Sequence, residues 1–324
     1  MKAIVIHEDG GPEVLSYEDV PDPEPAAGEV LVRMRFASLN HLDVWTRKGL
    51  PSVPKPRILG ADGSGVVEAV GADVSGFEPG RPVVINPGLE HGDAIHVIGE
   101  HTQGVHAELA AVPATNVYPL RDGVSFEDAA AFPLVYETAY RMLVTRAGLQ
   151  ASEWVLVWGI GGGVATAAFR IAQALGGRTI VTSSSDEKLA KAKKLGADIT
   201  VNHESGDVVG TAKEVGGADV VVETVGEATW KRSLDAARPG ARVVVCGATS
   251  GPNPPAALHR VWWKQLTILG STMGTHADFE GAYDLVAAGA TPVIDSVFPL
   301  AEARAAHERL EAGKQFGKIL LEIG

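Results

Sequence analysis

The stretch Glu153–Gly176, EWVLVWGIGGGVATAAFRIAQALG, decides the fold. Trp154–Trp158 is a short apolar run closed by glycine, the pattern of a buried parallel strand. Gly159, Gly161, Gly162 and Gly163 follow at once. Val164–Leu175 then carries helical apolar spacing and stops at Gly176 and Gly177. Strand, glycine turn and helix in that order build a phosphate cradle. The glycines permit the tight turn and a close approach by pyrophosphate, and the helix N-terminus offers free N–H groups. The spacing departs from G-x-G-x-x-G, whose third glycine falls on Val164. In the G-x-x-G-x-x-A register the set is Gly159, Gly162 and Ala165. A bare glycine cluster also suits an ordinary strand–helix turn. The strand expected at Arg178–Thr182 and the helix at Asp186–Leu195 complete a βαβ unit and favour a dinucleotide site.

On both sides of this stretch the pattern differs. Residues 1 to about 122 are rich in strand and turn signals, with strands expected at Lys2–Ile6, Glu29–Ala37, Gly65–Gly71 and Arg81–Ile85. From Phe126 helices are expected at Phe126–Phe132 and Tyr136–Ala147. Strand and helix then alternate, with further strands at Asp219–Glu223, Arg242–Cys246 and Thr267–Gly270, the signature of a doubly wound parallel sheet. After Pro292 come a strand (Val293–Phe298), a helix (Glu302–Ala312) and a last strand (Lys318–Ile323). The expected fold class is α/β. A β-rich domain is expected at 1–122 and 292–324, with a dinucleotide-binding domain inserted at 123–291.

Composition narrows the function. The chain has 324 residues, 45% of them hydrophobic, so two cores are expected rather than disorder. A net charge of −12 argues against nucleic acid and an anionic membrane surface as partners. No apolar run reaches spanning length, and the N-terminus reads as a strand, not a signal peptide. One cysteine, Cys246, excludes an internal disulfide and suits a reducing cytoplasm. Within its apolar run Cys246 reads as a core thiol, not a nucleophile.

Several segments together resemble the medium-chain dehydrogenase/reductase family, on the zinc-independent quinone oxidoreductase side. They are Ser38–Asp43 (SLNHLD), Leu59–Gly65 (LGADGSG), Gly76–Arg81 (GFEPGR), the glycine turn, Lys194–Asp198 (KLGAD), Val225-Gly226 and Phe316-Gly317-Lys318. The resemblance covers the full length. It implies a GroES-like β-rich catalytic domain plus a doubly wound Rossmann dinucleotide-binding domain.

The family's alcohol dehydrogenases hold a catalytic zinc. Carried over, the ligand positions fall on Asn40, Ala61, Asp62 and Leu134 or nearby. One carboxylate remains where zinc needs three protein ligands. The four-cysteine lobe would sit between Leu89 and Gly99, where no cysteine stands. His91, His96, His101 and His106 lie nearby, but their spacing matches no ligand pattern and suits surface or core imidazoles. No zinc is expected, so the negative charge developing on the acceptor needs another home. A quinone or an α,β-unsaturated carbonyl delocalises it, and hydrogen-bond donors then suffice.

By resemblance, Asn40 is the expected donor to the substrate oxygen, and His41 contacts substrate or cofactor phosphates. Trp45 stands where relatives often carry tyrosine, so the proton comes from solvent or from Tyr136, which reads first as a core residue. Asp43 is expected to pair with an arginine. The acid that selects NAD falls on Ser183. Ser183, Ser184 and the nearby Lys188 leave room for a 2′-phosphate, so NADPH (NADP) is the expected cofactor; Ser184 or Ser185 also suits a helix N-cap. The remaining expected cofactor contacts are Val164, His203, Val225, Gly247, Ala248, Gly270, Ser271, Thr272, Gly317 and Lys318. Trp262 and Trp263 read either as an internal pair or as the flank of an edge strand joining two copies, a homodimer or homotetramer. The expected function is NADPH-dependent, zinc-independent reduction of quinones or α,β-unsaturated carbonyls by hydride transfer. The alternatives are an alcohol dehydrogenase with a divergent metal site and a non-catalytic NADP(H)-binding protein.

Overall fold

The structure is a computed structural model that describes residues 1–92 and 94–324. Asp93, in the stretch read where the relatives' cysteine lobe would sit, lies outside the described residues. The chain divides into two compact units, one formed by Met1–Leu134 with Thr291–Gly324 and the other by Val135–Ala290.

In the first unit the largest sheet runs Val117–Pro119, Pro82–Ile85, Gly63–Val70, Glu29–Ser38, Lys318–Glu322 and Ile294–Pro299, with Leu109–Pro113 also on Glu29–Ser38. Most pairs are antiparallel; the two tail strands pair in parallel. Alternating residues of Glu29–Ser38 and its neighbours close one core around Val30, Val32, Met34, Val67, Val83 and Ile85. A second core gathers Ile4, Ile6, Leu39, Leu59, Leu310, Ile319 and Leu321. The tail strand enters the sheet because Gly317 precedes it. Its φ is +107°, and a Cβ there would lie 2.1 Å from the Val293 carbonyl oxygen, so only glycine fits. The register Leu320↔Ser38 then sets Lys318 beside Leu39 and Asn40.

In the second unit six parallel strands run in the order Ile199–Asn202, Arg178–Ser183, Trp154–Val157, Ala218–Glu223, Ala237–Val245, Thr267–Gly270. In chain order this is 3-2-1-4-5-6, the doubly wound order. Its switch point lies between Trp154–Val157 and Ala218–Glu223. Val155, Leu156 and Val157 are fully buried between helical layers, which explains their unbroken apolar run.

Local differences from the sequence reading have physical causes. The helix expected at Val164 starts one residue earlier, at Gly163. The helix expected over Tyr136–Ala147 is α-helical only over Pro133–Tyr140 and continues as a π-helix over Arg141–Arg146. The short strand Ile199–Asn202 escaped notice because only Val201 in it is buried. The glycine-rich loop around the histidines is a hairpin, Gly88–His91 with Ala94–Val97. There the rings of His91, His96 and His101 stack at 5.0 and 4.1 Å.

Candidate functional site

In the first unit a buried polar centre forms where Glu29–Ser38 ends and the helix His41–Arg47 begins. Asn40 lies at that junction and is 4% exposed. Its Oδ1 accepts from Lys318 Nζ at 2.5 Å, and its Nδ2 donates to Asp62 Oδ1 at 2.8 Å. These partners fix the amide's orientation, since an ammonium only donates and a carboxylate only accepts. Lys318 Nζ also donates to the Leu39 carbonyl at 2.9 Å. Asp62 Oδ1 accepts from Ser38 Oγ at 2.6 Å, and its Oδ2 accepts from the Leu134 backbone N–H at 2.9 Å. Burial pulls the Lys318 pKa below its ordinary value, against the opposing pull of Asp62 and Asp43.

Asp43 does not pair with an arginine. Its carboxylate accepts from the backbone N–H of Asn40 at 2.7 Å and of Gly60 at 3.1 Å, and so fixes the turn at the helix start. Burial raises its pKa, while His106 opposes the shift.

These residues do not form a zinc ligand set. Ala61 and Leu134 offer no side-chain donor. Both oxygens of Asp62 are committed to N–H and O–H groups, and the Asn40 oxygen already faces an ammonium, which would repel a second cation. Among the described residues no three His, Cys, Asp or Glu side chains group to hold a metal ion.

His41 and Trp45 lie on the first turns of the same helix, ring centroids 6.2 Å apart, and both are exposed. Protein packed around the imidazole, and then Lys318, lower the His41 pKa. Tyr136 belongs to the second unit and is 1% exposed on the helix Pro133–Tyr140.

The second unit carries the glycine turn. Gly159 and Gly161 have φ of +67° and +110°. A Cβ on Gly159 would meet nothing within 4 Å, so the turn faces open space. Gly162 is the N-cap of Gly163–Ala174 and makes no side-chain cap bond, which leaves first-turn N–H groups, including that of Val164, to an anion. The turn fits a pyrophosphate. At the end of the next strand, Ser183 Oγ accepts from Ser185 N–H, and Ser185, not Ser184, caps the helix Asp186–Lys194. Lys188 stands in the first turn of that helix. His203 Nδ1 lies 3.3 Å from Thr182 Oγ1, which also accepts from Gly159 N–H. Beyond Ala218–Glu223, the Glu223 carboxylate accepts from the N–H groups of Val225 and Gly226 and shapes that turn.

Gly247, Ala248, Gly270, Ser271 and Thr272 line a cavity of about 640 Å³, together with Arg141 and Arg146. Arg146 Nε donates to the Gly270 carbonyl at 2.9 Å. The two arginines went unnoticed in the sequence because only the π-helix brings both into this cavity. Cys246 lines it too, but burial pushes its thiol up to about 12, which removes it as a nucleophile. Lys318 was expected at the cofactor, and the structure seats its ammonium on Asn40. The available signal was a lysine opening the wholly apolar run Ile319–Leu321.

Two family patterns match the chain. "Alcohol dehydrogenase GroES-like domain" covers residues 26–122, and "Zinc-binding dehydrogenase" covers 163–288. A quinone oxidoreductase of Pseudomonas aeruginosa is 34% identical over 96% of each chain. The chain belongs to the medium-chain dehydrogenase/reductase superfamily, in its quinone oxidoreductase-like branch. It is an oxidoreductase with the GroES-like plus Rossmann-type fold. A solved NAD-dependent alcohol dehydrogenase superposes with a TM-score of 0.96 at 42% identity, each chain covered in full. The 2-octenoyl-CoA carboxylase reductase CinF, solved with NADP and 2-octenoyl-CoA, superposes with a TM-score of 0.89 at 29% identity, over 96% of this chain and 82% of its own. Among the described residues no helix is long and apolar enough to cross a membrane.

Proposed function

We propose that this enzyme reduces conjugated carbonyl compounds, quinones or α,β-unsaturated carbonyls, with NADPH and without zinc. The observation that carries this reading is the Asn40–Asp62–Lys318 centre: Asn40 and Asp62 stand at positions that hold zinc in the family's alcohol dehydrogenases, and Asp62 and Lys318 hold the Asn40 amide with one N–H left to offer. A simple ketone leaves a localised alkoxide after hydride addition. A conjugated acceptor spreads the charge into an enolate or phenolate, which donors of this kind can hold.

Bound at the glycine turn, the dinucleotide supplies the hydride. Gly159, Gly161, Gly162 and Gly163 give its pyrophosphate backbone N–H groups and room. Val225, Gly247, Ala248, Gly270, Ser271 and Thr272 line its path along the carboxyl edge of the strands. Ser183 makes space for a 2′-phosphate, with Lys188 and His203 as the nearby donors; no carboxylate stands at Ser183 to repel it. Gly317 sets Lys318 in register. Asn40 keeps one amide hydrogen beyond its bond to Asp62 and offers it to the substrate oxygen. For an α,β-unsaturated carbonyl, a hydride delivered to the β-carbon would form a C–H bond there, the C=C π pair would shift to join the α-carbon to the carbonyl carbon, the C=O π pair would move to the oxygen as enolate, and a proton from water at the α-carbon would complete the product. His41 and Trp45 supply a polar edge and a flat apolar face for the acceptor. Tyr136, buried in the second unit, fits the core role better than that of proton donor. CinF binds NADP and an enoyl thioester, which supports both halves of the proposal.

The NAD-dependent alcohol dehydrogenase neighbour favours a second reading, alcohol oxidation with NAD. NADPH and NADH oxidation compared across quinones, enones, aldehydes and saturated ketones separates the two. Turnover confined to conjugated acceptors with NADPH supports the first, and alcohol oxidation with NAD establishes the second. We further propose that the protein is a homodimer or homotetramer. Thr267–Gly270 is an edge strand with Ile268 39% exposed, and Trp262 and Trp263 beside it are 64% and 76% exposed.

A further inference from the structure

We infer that Lys318 is the buried charge that makes Asn40 an oxyanion donor, a positioning residue acting through the amide. The inference rests on the proposed role of Asn40 as donor to the substrate oxygen. Lys318 opens a strand whose next three residues are fully buried, and it is itself 4% exposed. An ammonium is costly to bury unless it is bonded to something that repays the cost. Its bonds go to the Leu39 carbonyl at 2.9 Å and to Asn40 Oδ1 at 2.5 Å. No direct ion pair joins it to Asp62. Asn40 bridges the two, accepting from the cation and donating to the anion.

Two consequences follow from this geometry. The cation on the amide oxygen draws electron density from Nδ2 and strengthens the remaining N–H as a donor, in a low-dielectric site where charge-assisted bonds are strong. Asp62 locks the amide so that this N–H cannot flip away. The charge that forms on the acceptor oxygen therefore meets a polarised donor backed by a fixed positive charge, held in place before the reaction. Asp62 and Asp43 moderate that charge, so removing Asp62 would leave the centre more electropositive.

The test uses the intact protein, alone and with NADP⁺ added. The ligands are 4-nitrophenol at a pH where it is the phenolate, and neutral 4-nitroanisole as the control. Lys318→Met should weaken phenolate binding about tenfold or more and leave 4-nitroanisole unchanged. Asp62→Asn keeps an amide oxygen to accept from Asn40 Nδ2 and removes the negative charge, so it should tighten phenolate binding. A damaged fold would weaken both ligands in both variants, so opposite signs carry the inference. No phenolate binding to the unaltered protein, an unchanged affinity in Lys318→Met, or weakening in both variants overturns it. Acceptor turnover reads out separately. Opposite-sign phenolate responses in a protein that reduces no conjugated acceptor would overturn the proposed reaction and keep the charged donor. Turnover with a flat phenolate response would do the reverse.

Discussion

In the proposed mechanism, the polar centre around Asn40 and the glycine edge of the parallel sheet handle negative charge by opposite means. The glycine edge uses backbone alone. Gly159 faces open space and Gly162 leaves the helix N-terminus uncapped, so any phosphate of the right size meets N–H groups at no side-chain cost. The Asn40 centre uses side chains in a closed network, with Lys318, Asp62, Ser38 and the Leu134 N–H all committed. The first arrangement tolerates side-chain change at its rim. The second leaves a buried group unsatisfied whenever one member is removed.

Substitutions should expose that contrast. The largest effect is expected at Asn40. Asn40→Ala removes the proposed donor and leaves Lys318 and Asp62 without their bridge, so kcat for a conjugated acceptor should fall roughly 10²–10³-fold. NADPH affinity, measured by fluorescence titration, should change little. Next comes Gly317→Ala, which pushes a Cβ into the Val293 carbonyl at a φ of +107°. Thermal unfolding should show a loss of about 1–3 kcal/mol, with turnover reduced because Lys318 shifts from Asn40. At the glycine edge, Ser183→Asp should lower NADPH affinity about tenfold through repulsion of the 2′-phosphate, with no loss of stability of that size. An equal loss of NADH affinity would mean the phosphate does not sit there.

The smallest effect tests another buried group of the first unit. His307 is fully buried on the helix Ala303–Glu311, and Arg47 donates to its Nδ1 at 3.2 Å, so the neutral ring keeps its proton on Nε2. Burial, then His106 and Arg47, hold its pKa well below 6.5; Glu311, bonded to Arg47, is the nearby anion. The folded form stays neutral where the unfolded form takes a proton. Stability should therefore be full above about pH 6.5 and fall as pH drops below it, by at most about 1.4 kcal/mol per pH unit from this group. Urea midpoints measured from pH 7 to pH 5 should show the slope, and His307→Gln should flatten it.

Legibility in the sequence differed between the two regions for a physical reason. The Rossmann-type unit announces itself locally, because Trp154–Val157, the glycines and Gly163–Ala174 are contiguous and each obeys its own periodicity. The strand Ile199–Asn202, with one buried residue, is not legible in the same way, so the six-strand order comes from the structure. The Asn40 centre is assembled from residues far apart in the chain, since Lys318 and Asn40 meet only through the Leu320↔Ser38 register. What the sequence did reveal there was which ligand types were missing. It did not reveal that Lys318 supplies a buried cation, nor that Asp43 would spend its carboxylate on the Asn40 and Gly60 amides rather than on an arginine. Arg141 and Arg146 stayed hidden because their shared cavity depends on a π-helical turn, which has no periodic signature of its own.

In the proposed mechanism the Asn40 amide, rather than a metal, receives the charge that the hydride creates. The most direct measurement compares NADPH oxidation with 2-cyclohexenone and with cyclohexanone, before and after exhaustive chelation. Turnover of the enone alone, unchanged by chelation, is expected. Comparable turnover of the saturated ketone, or enone activity that is lost on chelation and restored by zinc, would contradict it.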